Sequence, residues 1–182
     1  MESKDFDEFV RRQHADVSAA AKINWDQERD EWLDQLRELY GKIESLLRKY
    51  TSSGQIRLEY RSIRLNEENI GSYTAKQMVL RIGRQEVLLV PVGTLLIGFK
   101  GRVDIEGPAG KAQLALVDSR ASSTASLIHV SVGEGGKLPV APKKTAGRIE
   151  WAWRIVTAPP ERRFIEITQE TLFRLIMEVA NA

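Results

Sequence analysis

Residues 37–65, RELYGKIESLLRKYTSSGQIRLEYRSIRL, contain the point where the chain changes period. Up to Tyr50 the apolar side chains recur every three or four residues: Leu39, Ile43, Leu46, Tyr50. Past Thr51-Ser52-Ser53-Gly54 they alternate, with Ile56, Leu58 and Tyr60 separated by Arg57 and Glu59. The first spacing is one face of a helix, and the second is one face of a half-buried strand. The polar Thr-Ser-Ser-Gly run stops the helix and turns the chain. Ile63 and Leu65 fall on the other parity, which predicts a bulge near Arg61-Ser62.

Upstream, the same helical stripe extends back through Trp25, Trp32 and Leu36, with Arg29 as its one break. Asn24 is placed to cap it, and Asp26 and Glu28 sit where the helix dipole favours negative charge. Leu33, Tyr40 and Leu47 flank the seam at sevenfold spacing, so the stripe is wider than a two-stranded coiled-coil seam. Such a stripe suits a helix lying on a sheet, a multi-helix contact, or a helix shared between a sheet and a second copy of the chain. Gly41 lies mid-helix at a cost of about 1 kcal/mol against Ala, and marks either a close crossing or a tolerated weak point. A thinner stripe (Phe6, Phe9, Val10, Val17) predicts an earlier helix over 5–21. That helix is marginal alone and needs a surface to dock on.

Downstream, strand patterns follow one another: 73–82, 86–92, two pieces within 95–106, 111–117, 127–132, 148–156 and 162–167. Gly83-Arg84-Gln85 and Gly107-Pro108-Ala109-Gly110 are tight turns between them. Asn66 to Ser72 and Ser119 to Ser126 are polar loops. Pro91 places the third strand at an edge or close to its own end. Thr168 caps a last helix over 169–180 with Leu172, Phe173, Leu175, Ile176 and Val179 on one side. The expected fold class is α+β. Two N-terminal helices precede an antiparallel sheet or partly closed barrel of about eight strands, and a C-terminal helix packs on it. Residues 1–54 form the helical segment and 55–182 the β domain with its last helix, together one structural unit.

With 182 residues and no Cys, the chain can build a core without disulfides, and it offers no thiol nucleophile or zinc knuckle. The polar, acidic start Met1-Glu2-Ser3-Lys4-Asp5 is unlike a secretory signal. The longest apolar run, Val87 to Gly98, is broken by Pro91, Gly93 and Thr94 and is too short to span a bilayer. A cytoplasmic protein without a membrane span is expected. The net charge of +2 hides a division. Residues 1–50 carry 9 basic and 12 acidic side chains, and the remainder carries 18 and 13. A mildly basic sheet domain could attract an acidic partner.

No catalytic, metal-binding or cofactor-binding pattern stands out, and none of these groups is expected. Trp151 and Trp153 share a strand face and fit core beneath a docked helix better than a ligand groove. Asp104 and Glu106 alternate with the apolar Val103 and Ile105 and so face water rather than a catalytic site. His14 and His129 are far apart and lack ligand spacing. Gly98, Gly101, Gly107 and Gly110 precede strands, not a helix, so they mark kinks and turns rather than a phosphate loop. Lys100, Arg102, Lys111, Lys137, Lys143, Lys144 and Arg148 are basic, but only Phe99 is nearby as an aromatic platform, which disfavours nucleic acid.

The chain is therefore expected to be a non-enzymatic module that binds a protein partner or itself, with Trp25, Trp32, Leu36, Tyr40 and Ile43 as contact residues. A homodimer would be one outcome. The alternative is a small-ligand or anion-binding β domain that uses the 133–147 loop with Lys100, Arg102, Lys143, Lys144 and Arg148. A hydrolase or transferase with an unrecognised site is the third reading.

Overall fold

The computed structural model describes residues 6–8, 10–11, 23–94, 99–124 and 149–181. Helix α1 (Trp25–Ser52) leads into seven strands: β1 (Ile56–Glu67), β2 (Gly71–Ile82), β3 (Gln85–Gly93), β4 (Gly101–Gly107), β5 (Gly110–Asp118), β6 (Trp151–Val156) and β7 (Phe164–Glu166). Helix α2 (Gln169–Ala180) ends the chain. The strands form one antiparallel sheet in the order β1-β2-β3-β4-β5-β6-β7, with β1 and β7 at its edges. It is an open meander rather than a barrel, and it has seven strands among the described residues where about eight were expected. Of the two expected N-terminal helices, α1 stands complete. Residues 6–8 and 10–11 of the first are helical, and most of the rest of it lies outside the described residues, as does the 127–132 strand.

Both helices form where capping and periodicity place them. Asn24 Oδ1 accepts from the Gln27 amide at 3.1 Å, satisfying a donor that the first turn of α1 leaves over. Thr168 and Thr171 exchange side-chain and backbone bonds in a capping box at the start of α2. The apolar stripes of both helices join the inner faces of the strands in a single buried cluster, so both helices cover the same side of the sheet. Val103, Ile105, Leu114 and Leu116 face inward and are fully buried. Asp104 and Glu106 face the other way and pair with Arg102 and Lys111. Trp153 lies in the core and Trp151 packs against it, as their alternation requires. The Trp153 indole N–H donates to the Gln35 carbonyl at 3.0 Å, which ties β6 to α1.

The expected bulge at Arg61-Ser62 is absent. Pairing of β1 with β2 runs unbroken from Ile56↔Ile82 to Glu67↔Gly71. The parity change is instead shared by both strands, since Ile63 faces Ala75 and Leu65 faces Tyr73. Beyond Met78↔Leu89 the β1–β2 pair continues without β3 beside it. A free two-stranded ribbon twists more than a wide sheet, and here its opposite face turns toward the core. The expected polar loop 66–72 shrinks to a short turn for the same reason. Pro91 sits in an interior strand, but past the end of β2–β3 pairing and beside a register shift, so its missing N–H costs no ladder bond to β2.

Two polar fasteners hold this ribbon. The Glu67 carboxylate accepts from the Thr94 amide at 2.9 Å, the Thr94 hydroxyl at 2.8 Å and the Tyr73 hydroxyl. The Tyr40 hydroxyl donates to the Lys76 carbonyl at 2.7 Å. Burial pushes the Tyr40 pKa far above the ordinary tyrosine range, so it acts only as a neutral donor. Tyr40→Phe therefore leaves an acceptor short in a part-buried place. It is expected to cost about 1–2 kcal/mol, visible as a lower urea midpoint at unchanged slope.

Candidate functional site

The side chains expected to form a contact surface are placed in the core. Trp32 and Ile43 are 0% exposed, Leu36 2% and Tyr40 4%. Trp25, in the first turn of α1, is half-buried. The stripe on α1 is wide because the sheet below it is wide: the inner faces of the strands absorb the area that suggested a second partner. Self-association through these residues would require α1 to leave the sheet.

The basic residues are dispersed. Lys143, Lys144, Arg148 and the 133–147 loop lie outside the described residues, as do His14 and His129. Lys100 turns to α1, where it pairs with Glu28 at 3.2 Å and Glu31 at 3.0 Å and lies 5.7 Å from the centre of the Trp151 ring. Burial works against its charge, but the two carboxylates outweigh burial and raise its pKa. Lys100 in turn, with Gln27, holds the Glu31 carboxyl below its ordinary range. Lys100, immediately before β4, thus ties the start of that strand to α1.

Arg102 is on the outer face of β4 and lines a cavity of about 530 Å³. The cavity forms where β6 stops short. Pairing of β5 with β6 begins at Gln113↔Val156, so Lys111 and Ala112 have an edge without a β6 partner. The chain leaves this edge because Thr157 turns toward β7, its amide donating to the Arg163 carbonyl at 3.0 Å. Thr171, Arg174, Leu175 and Glu178 of α2 form the opposite wall. Ala112, Ile155, Val156 and Leu175 give an apolar lining. A volume of this size falls within the range of ordinary ligand sites.

The polar rim is mostly self-satisfied. Arg102 Nε and Nη2 donate to the two Asp104 oxygens at 2.6 and 2.8 Å, a forked pair of fixed geometry. The Gln113 amide, oriented with its oxygen toward Arg102, accepts from the same nitrogens at 3.2 and 2.6 Å. Lys111 pairs with Glu106 at 2.7 Å and Arg174 with Glu170 at 3.0 Å. Arg162 and Glu178 line the same cavity and have no ion pair among the described residues. Among the described residues the site thus offers an apolar lining, an open strand edge and one charge of each sign without an ion pair.

Alternation alone places Arg102 outward. Nothing local in the sequence brings Gln113, Arg162 and Glu178 to it, because that juxtaposition depends on strand order and on where β6 ends.

A second cavity, of about 510 Å³, lies between α1 and the β1–β2 ribbon. Leu33, Leu36, Tyr40 and Gly41 line it from the helix, and Tyr60 and Ala75 from the ribbon. The Tyr60 hydroxyl donates to Glu44 across its mouth.

Among the described residues no group of three His, Cys, Asp or Glu could hold a metal ion, and no helix is long and apolar enough to cross a membrane. The chain matches no known protein family, no curated protein and no solved structure.

Proposed function

We propose that this chain is a non-enzymatic protein-binding module that takes a short extended segment of a partner beside β5, in the place β6 leaves open. The observation that carries this reading is the unpaired edge at Lys111-Ala112 facing a helix wall across a cavity of mixed polar and apolar lining. An extended peptide gains main-chain hydrogen bonds from such an edge and specificity from side-chain pockets beside it. Its apolar side chain meets Ala112, Ile155 and Leu175. A carboxylate on the segment pairs with Arg162, which has no ion pair among the described residues.

The pairing of Arg102 with Asp104 and Gln113 argues against a small anion as the principal ligand. The Arg102 fork is occupied, and the other paired cations already hold carboxylates.

Selection from a random peptide library displayed on phage tests the reading, with enriched peptides then titrated while backbone amides are followed by NMR. Acidic, apolar sequences should be enriched, and the Lys111 and Ala112 amides should shift on titration. Arg162→Glu should weaken acidic peptides by about tenfold or more, the size of a lost charge-assisted hydrogen bond, and more so at low salt. Ile165→Lys, at the exposed lip, should weaken all of them. Selection of no sequence above background, or shifts confined to other strands, discards the proposal. Equal shifts with inorganic phosphate or citrate alone would point to a small-anion site.

A further inference from the structure

We infer, resting on the peptide reading of the β5 edge, that the bound segment runs antiparallel to β5 and that the site reads four of its residues in the order acidic, apolar, any, basic. Arg162 selects the first and Glu178 the last.

Direction comes from the backbone. Gly107↔Gly110 closes the β4–β5 hairpin across the two-residue turn Pro108-Ala109, and such a closing pair is hydrogen-bonded. Backbone groups then alternate sides along β5, so the Lys111 N–H and C=O point to the open edge. Gln113, two positions on, has the same orientation and faces Val156 of β6. An antiparallel segment therefore continues the line of β6, and its residue opposite Lys111 takes both bonds.

Side-chain class comes from what stands opposite, because directly opposed residues share a face. The segment residue opposite Ala112 points to the helix side, where Ile155 and Leu175 line the cavity with Ala112, and it is apolar. The next, opposite Lys111, points to the other face and carries no requirement. The third, opposite Gly110, points to the helix side again. No atom lies within 4 Å of where a Gly110 Cβ would stand, so a long side chain has room there. A Cβ on the paired Gly107 would instead strike the Val179 carbonyl, which places the end of α2 beside this pair and brings Glu178 to that end of the cavity. A Lys or Arg lays its methylenes over Gly110 and sets its charge against Glu178. At the other end Val156 fills the edge, so the residue before the apolar one leaves β5 over the β6–β7 connection, where Arg162 stands. That residue is acidic.

The other charges of the cavity do not choose. Arg102 is forked to Asp104, Lys111 is paired with Glu106 and Arg174 with Glu170. Arg162 and Glu178 are exposed and have no ion pair among the described residues.

Three synthetic peptides test the order. One carries Glu-Leu-Ser-Lys, the second Lys-Leu-Ser-Glu and the third Gln-Leu-Ser-Gln, each between Gly-Ser flanks. They are titrated into the full-length protein by fluorescence anisotropy, and the Lys111 amide is followed by NMR. The Glu-first peptide should bind about tenfold tighter than the Lys-first one in low salt, from two exposed ion pairs gained and two like-charge contacts avoided, and the ratio should shrink in high salt. The double variant Arg162→Glu with Glu178→Lys should invert the preference, whereas a merely structural role for these residues would leave the ratio unchanged. Equal affinities with the Lys111 amide shifted overturn the inference and leave the peptide reading in place. Tighter binding of the Lys-first peptide to the wild-type protein also overturns it, because the segment would then run parallel to β5. A Lys111 amide unmoved by all three peptides overturns both.

Discussion

Gly101→Ala is expected to destabilise the protein by about 3 kcal/mol, a large share of the stability of an ordinary domain. A Cβ at Gly101 would collide with the Trp32 ring, overlapping Cζ3 and lying 2.6 Å from Cε3. The ring has no room to retreat. Trp32 is 0% exposed, and the Trp153 ring lies 6.0 Å away, centre to centre. Trp153 is itself held to α1 by its bond to the Gln35 carbonyl. Overpacking at such a site forces either a poor rotamer or a backbone shift. Replacing the indole relieves the overlap, so the double variant with Trp32→Leu should be less destabilised than the sum of the two singles. A coupling of about 1–3 kcal/mol in chemical denaturation would show that the two residues share one space. Strict additivity would show that Gly101 acts through the backbone alone.

Gly107→Ala is expected to loosen α2 specifically. Here the obstruction is main chain. A new Cβ would overlap the Val179 carbonyl oxygen and lie 2.7 Å from its carbon. A side chain could rotate away, but a helix carbonyl can yield only if the helix moves. The same carbonyl accepts from the Ala109 amide at 2.8 Å, so the β4–β5 turn and the end of α2 are fastened at one point. The expected loss is about 2–3 kcal/mol, with amide exchange rising first in α2 while β1 and β2 keep their protection. Gly110→Ala is the control. It closes the same hairpin, has nothing within 4 Å and no positive φ, and should change stability by no more than about 0.5 kcal/mol.

These two glycines show how far the sequence can be read. Gly101, Gly107 and Gly110 stand in one stretch and look alike as turn and kink residues. Their separate roles exist only against Trp32, Val179 and open space, which are brought to them by distant parts of the chain. The stripe on α1 carries the same lesson. Trp32, Leu36, Tyr40 and Ile43 were legible as one apolar face, yet whether that face meets a partner or the protein's own sheet depends on how much sheet lies beneath it. The candidate site was less legible still. Arg102 could be placed outward from alternation, but the cavity depends on β6 ending at Val156 while β5 continues back to Gly110.

Helix and strand order, the inward parity of Val103 and Ile105, the caps at Asn24 and Thr168 and the turn at Gly107-Gly110 were fixed by residues within a few positions of one another. Such features follow from local sterics and period, so the sequence by itself determined them. The unbroken β1–β2 register, the common side on which both helices lie, the core position of the α1 stripe and the open edge beside β5 were decided only by the tertiary structure. Each depends on surfaces far apart in the chain competing for the same apolar area, and that competition is resolved only when the whole sheet is assembled.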